Sequence, residues 1–175
     1  MGGSFEVKQA ARLLDAEFVA KWRDRRSLDP LAWAVLGALL ERLVALGGPV
    51  RVEEVPALLP WHEPAQVADA IARLDEKDLI MVRDSQVMLA YPFAGTPTPF
   101  GVVFPDGRER YAVCAIDALG VPALLDQAVT IRSRCHHCRE PLEILVSPDG
   151  PIGEKQIMVW VGERGDVRAK GYASL

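Results

Sequence analysis

The chain has 175 residues, half of them hydrophobic and a quarter charged, with a formal net charge of -4 and a pI near 5.4. This suits a packed globular protein and excludes a disordered one, and the acidic balance argues against a phosphate-backbone partner, which needs concentrated Lys and Arg. The longest apolar run, 31–40, stops at Glu41 and Arg42, short of the roughly 20 residues of a membrane span, and the N-terminus carries no signal peptide, so no membrane partner and a cytoplasmic location are expected.

Residues 5–26 place Leu13, Leu14, Phe18, Val19 and Trp22 at helical spacing. A second helix is predicted to start at Asp29-Pro30, with Asp as N-cap and Pro at the first helical position, and to end at Gly47-Gly48. Its apolar positions are Trp33, Leu36, Leu39, Leu40, Leu43 and Val44. A short helix over 52–59 and another over 64–79, with Val67, Ile71 and Leu74 on one face, precede a hairpin of 80–83 and 86–91 turning at Asp84-Ser85. Helix, short helix, helix and two-stranded wing is a winged-helix order. Such modules often bind DNA, but the third helix carries Asp69, Asp75, Glu76 and Asp78 against Arg73 and Lys77, and those carboxylates would face phosphates. No DNA partner is expected, and the module reads as structural.

Ala94 to Pro99, Ala-Gly-Thr-Pro-Thr-Pro, reads as a linker. Beyond it, strands are predicted at 101–104, 129–132, 142–146 and 157–161, with a turn at 105–107 and a further element from 109. Helical stretches are expected at 112–119 and 122–125, broken at Gly120-Val121-Pro122. The fold class is therefore α+β: a winged-helix-like helical module over 1–93, a linker over 94–99, and a small mixed or antiparallel sheet domain with short helices over 100–175. The four tryptophans, Trp22, Trp33, Trp61 and Trp160, are scattered and are expected to pack in the core.

Three cysteines is an odd count, so thiols rather than a closed disulfide framework are expected, and all three lie between Cys114 and Cys138. On a helix, Cys114 and Asp117 would share a face with Cβ atoms about 5–6 Å apart. A nearby carboxylate raises a thiol's pKa, so this pair does not make a standalone nucleophile; it suits a soft sulfur ligand beside a proton carrier. The bland alternative is a buried Cys and a solvated Asp three residues apart.

Cys135-His136-His137-Cys138 can present two sulfurs, with two adjacent imidazoles, to a metal such as zinc. A closed zinc ribbon needs a second pair, and no cysteine follows Cys138. A redox Cys-x-x-Cys normally follows a strand in a βαβ pattern, which is absent here. Two ordinary thiols in a loop is the remaining alternative. No glycine-rich phosphate loop, Gly-x-Ser-x-Gly elbow or His-Glu-x-x-His occurs.

The segment 111–125, Tyr-Ala-Val-Cys-Ala-Ile-Asp-Ala-Leu-Gly-Val-Pro-Ala-Leu-Leu, resembles the active-site segment of the organomercurial (alkylmercury) lyase family. The likeness continues through 129–135 and 145–148, and the winged-helix order is similar to that family's N-terminal region. The resemblance implies that Cys114 binds mercury, that Asp117 takes part in proton transfer, and that Cys135 matches a further family cysteine regarded as structural. It implies a divergent member as well: the family's second catalytic cysteine, expected near 166–168, and its C-terminal segment have no counterpart.

The expected function is protonolytic cleavage of carbon–mercury bonds in a small organometallic substrate. Mercury(II) is soft and prefers thiolates, and a carboxylic acid then delivers the proton that releases R–H. Cys114 is the thiolate ligand, Asp117 the proton carrier, and Cys138 or Cys135 the second sulfur; no cofactor is required. The alternative is a repurposed, non-catalytic member that binds zinc, mercury or a thiol ligand through Cys135 and Cys138.

Overall fold

The structure, a computed structural model, describes residues 27–153 together with Arg23, Met158 and Val159. The helix expected over 5–26, the strand expected over 157–161, Trp22 and Trp160 lie outside that description.

Helix α1 (Pro30–Leu46) begins and ends where its caps dictate. The Asp29 carboxylate accepts the Ala32 N–H at 2.9 Å, Pro30 opens the helix, and Gly47, at φ 70°, donates its N–H to the Leu43 carbonyl. Its buried stripe is Ala32, Val35, Leu36, Leu39 and Leu43. Trp33 falls off that stripe and is 49% exposed, while Trp61, in the loop before α3, is 89% exposed. Neither tryptophan is a core residue, contrary to expectation, because helical periodicity and not side-chain size selects which positions face inward.

Strand β1 (Val50–Arg51), a 3-10 turn (Val52–Glu54) and helix α2 (Val55–Leu58) lead to helix α3 (Pro64–Glu76), which buries Val67, Ala70, Ile71 and Leu74 against the core. This helix stops short of the expected 79, since Asp78 turns the chain at φ 58°. Strands β2 (Ile80–Arg83) and β3 (Gln86–Ala90) then form the expected hairpin. Asp84 and Ser85 both have positive φ, 50° and 59°, as a two-residue turn matching strand twist requires.

Strands β4 (Phe93–Ala94), β5 (Gly101–Val103), β6 (Glu109–Ala112), β7 (Val129–Arg134), β8 (Pro141–Ser147) and β9 (Gly150–Pro151) complete the described sheet. All pairings are antiparallel, in the order β1-β3-β4-β6-β5-β7-β8-β9, with β2 on the other edge of β3. The short strands β1, β4 and β9 lack an alternating pattern of any length, which is why periodicity did not mark them.

The molecule is α+β, mixing helices with an antiparallel sheet. Within the segment expected as a linker, the Gly95 N–H reaches the Met88 carbonyl and the Thr98 hydroxyl donates to the Ala112 carbonyl at 2.6 Å. The buried apolar cluster runs without interruption from Ala32 on α1 to Val146 on β8.

Helix α4 (Ala115–Leu125) departs from expectation: it runs unbroken through Gly120 and Pro122. Burial of Ala118, Val121 and Pro122 on the face toward the sheet outweighs the hydrogen bond that Pro122 cannot donate. No described helix is long and apolar enough to cross a membrane.

Candidate active site

Three hydrogen bonds fix the chain just ahead of Cys114. The Ala112 N–H donates to the Phe100 carbonyl at 2.9 Å, the Thr98 hydroxyl donates to the Ala112 carbonyl, and the Val113 N–H donates to the Pro92 carbonyl at 3.0 Å. Strand β6 thus delivers residue 114 to a defined point at one end of the sheet.

Cys114, expected inside a helix, is instead the N-cap of α4, with extended φ -145° and ψ 178°. Its Sγ accepts the Asp117 N–H at 3.4 Å. In return, the Asp117 carboxylate accepts hydrogen bonds from the Cys114 backbone N–H and from the Cys114 thiol. This reciprocal arrangement is a capping box in which cysteine replaces serine and aspartate stands at the third helical position. The thiol–carboxyl contact therefore comes from the helix's start, not from two positions on one helical face. Cys-x-x-Asp before an apolar run was the signal for it.

Both groups are half-buried, and both titrate high. Burial first, then the hydrogen bond and charge of Asp117, push the Cys114 thiol up to about 12. Burial also raises the Asp117 carboxyl above the ordinary carboxylate value, against the opposing pull of the Cys114 contacts. At neutral pH the sulfur is a thiol. A soft cation that binds it displaces a proton beside a carboxyl group predisposed to hold one.

Ile116, between the two residues, is 57% exposed, so the rim of this site is apolar and open. Val113, the residue before Cys114, lines a groove of about 310 Å³ together with Met81, Met88 and Leu89 and the polar Arg83, Thr96 and Thr98.

Cys135 and Cys138 occupy the tip of the β7–β8 hairpin. The ladder runs to Arg134 opposite Pro141, and one further bond joins the Cys135 N–H to the Glu140 carbonyl at 2.8 Å. Arg139, at φ 63°, donates its N–H to the Cys135 carbonyl and closes the turn. The backbone N–H groups of Cys138 and His137 point at the Cys135 sulfur, and with the Cys138 thiol they hold the Cys135 thiol below its ordinary value. Cys138, His136 and His137 are exposed.

Among the described residues, no three His, Cys, Asp or Glu side chains gather around a point that could hold a metal ion. His136 and His137 do not join the two cysteines in such a group, so the tetrahedral zinc site considered from the sequence finds no support. The tight turn brings two cysteines to the hairpin tip, and among the described residues no third and fourth His, Cys, Asp or Glu ligand completes a tetrahedron there.

Sheet register relates the two thiol sites. Tyr111 on β6 and Arg132 on β7 both pair with Gly101 on β5. Cys114 and Cys135 each lie three residues beyond that level, so they leave the same end of the sheet. Two strand spacings, about 10 Å, separate their strands.

A family model described as alkylmercury lyase matches residues 93–170. The chain is 33% identical over 130 residues to an alkylmercury lyase of Bacillus cereus, covering 74% of this chain and 51% of that one. It is 33% identical over 114 residues to an alkylmercury lyase of Staphylococcus epidermidis (63% and 49%) and 34% identical over 115 residues to one of Streptomyces lividans (63% and 49%). The chain thus spans about half the length of the curated relatives it matches. A crystal structure of the mercury-bound form of MerB2 has a similar fold, with a TM-score of 0.60 at 20% identity, over 76% of this chain and 64% of that one.

Proposed function

Because the chain belongs to the alkylmercury lyase family, we propose that it cleaves carbon–mercury bonds by protonolysis at Cys114 and Asp117. The observation that carries this reading is the hydrogen-bonded contact of a protonated thiol with a raised carboxyl in one half-buried, open-rimmed site. In the first step, Cys114–SH and R–Hg–X give Cys114–S–Hg–R and HX. The sulfur enriches the electron density on carbon, and the Asp117 carboxyl donates its proton to that carbon. R–H leaves, and mercury(II) is left between the Cys114 sulfur and the Asp117 carboxylate. Atoms and charges balance, and no redox partner is involved.

The apolar rim at Ile116 suits an alkyl or aryl R group, and the substrate is a small organometallic in the cytoplasm. The helical half, with its β2–β3 hairpin, serves as a winged-helix-like support for the sheet. Its acidic third helix is structural: Asp75 accepts the Val82 N–H at 3.1 Å and so anchors the hairpin.

The test is methane or benzene release from methyl- or phenylmercury, with Cys114→Ser as control. Release by the wild type and none by the variant is the expected outcome; equal rates in both would refute the proposal. A second reading, in which catalysis is replaced by soft-metal binding at Cys135 and Cys138, is favoured by the acidified Cys135 thiol. It predicts mercury bound without R–H released.

A further inference from the structure

We propose that the β7–β8 hairpin tip is a two-coordinate soft-metal site, in which Cys135 and Cys138 hold the mercury(II) product as a dithiolate after it leaves Cys114. The inference rests on the cleavage reading for the source of the ion, but the site itself stands on its own geometry.

Four observations carry it. The turn carries Cys135 and Cys138 three residues apart, and among the described residues no group of three His, Cys, Asp or Glu side chains forms around them. Zinc and other ions that need four ligands are therefore poorly served, whereas an ion satisfied by two soft ligands is served completely. The backbone of the turn is fixed by the Arg139 N–H on the Cys135 carbonyl at 2.9 Å and the Cys135 N–H on the Glu140 carbonyl at 2.8 Å, so both sulfurs are held at one tip. Cys138 is exposed at the tip, so an incoming ion has access without any rearrangement of the core. Finally, the strand register puts Cys135 at the same end of the sheet as Cys114, about two strand spacings away.

The direction of transfer follows from ligand chemistry. After cleavage, mercury(II) is bound by one sulfur and one carboxylate oxygen, and a soft ion gains by exchanging the hard oxygen for a second sulfur. The exchange is Cys114–S–Hg–O₂C–Asp117 plus the Cys135 and Cys138 thiols, giving Cys135–S–Hg–S–Cys138 plus the Cys114 thiol and the Asp117 carboxylic acid. Two Hg–ligand bonds break and two Hg–S bonds form. The two thiol protons pass to the Cys114 sulfur and the Asp117 carboxyl, which returns the cleavage site to its starting protonation state.

The experiment uses the full chain, reduced, loaded with excess inorganic mercury(II) chloride and dialysed against millimolar glutathione. Bound mercury per chain is read by elemental analysis, with thermal unfolding as a check that each variant is folded. Two tethered sulfurs outcompete a free monothiol through effective concentration, by about 10² or more. The wild type and Cys114→Ser are expected to retain one mercury per chain, and Cys138→Ser and Cys138→Ala to retain at least tenfold less. Wild-type retention in both Cys138 variants, loss of mercury in Cys114→Ser, or a mercury-free wild type would overturn the site. Because the ion is supplied directly and R–H is not read, failure here leaves the cleavage reading standing, and failure of cleavage leaves this site standing.

Discussion

At the residue scale, the thiols of Cys114 and Cys135 are chemically distinct although both are cysteines. Cys114 is a proton-bearing sulfur, pushed up to about 12 first by burial and then by Asp117. At pH 8 only about one part in 10⁴ is thiolate by that value, and nucleophilic alkylation proceeds through the thiolate. Cys135 is lowered by the N–H groups that face it. Limited iodoacetamide treatment at pH 8 is therefore expected to label Cys135 before Cys114, as mass spectrometry of peptides would show; the reverse order would contradict the site's electrostatics. The stability linkage has a definite sign. A folded-state pKa above the unfolded one leaves stability intact below about pH 9 and removes it as pH rises from 9 toward 12. The alkaline fall in melting temperature is expected to be smaller in Cys114→Ser than in the wild type. In the proposed cleavage Asp117 is the acid, so single-turnover R–H release should decline as pH rises through its raised pKa. Asp117→Asn should slow that release about 10²-fold or more, the usual contribution of a positioned acid, while Cys114 still binds mercury.

At the element scale, helix ends were the most legible feature of the chain. Asp29-Pro30 and Gly47 marked α1 because capping is a local matter of side-chain reach and backbone conformation. Asp29→Ala removes the acceptor for the Ala32 N–H and is expected to lower stability by about 1 kcal/mol, measured by urea unfolding. The β2–β3 hairpin was equally local, set by a two-residue turn. Helix α4 shows where local rules lose. Gly120 and Pro122 predict a break, yet packing of Ala118, Val121 and Pro122 against the sheet holds the helix together. The same region hid the origin of the Cys114–Asp117 contact. The spacing is visible, but a helix expected from 112 puts Cys114 two residues inside an element that starts only at Ala115.

For the whole molecule, the sheet and the apolar cluster join what the sequence divides at 94–99. Arg110 on β6 donates to the carbonyls of Val44 and Ala45 at the C-terminal end of α1, where a guanidinium also complements the helix dipole. Gly95 sits where a Cβ would come within 2.7 Å of the Pro49 backbone nitrogen, at the junction of β1 and β4 along one edge of β3. Gly95→Ala is expected to cost about 1–3 kcal/mol through overpacking, with a single thermal transition in both proteins. Two separate transitions would show that the halves unfold independently.

The sequence alone determined the local features: the capped helices, the hairpin, the α+β class, and the three sulfurs and one carboxylate with which chemistry could be done. These depend on near neighbours, whose geometry is fixed by covalent reach and backbone sterics. Only the tertiary structure decided how Cys114, Asp117 and Cys135 hold their protons, which tryptophans face water, and that Cys114 and Cys135 leave one end of one sheet. Those properties arise from burial and strand register, and both are set by residues far apart in the chain.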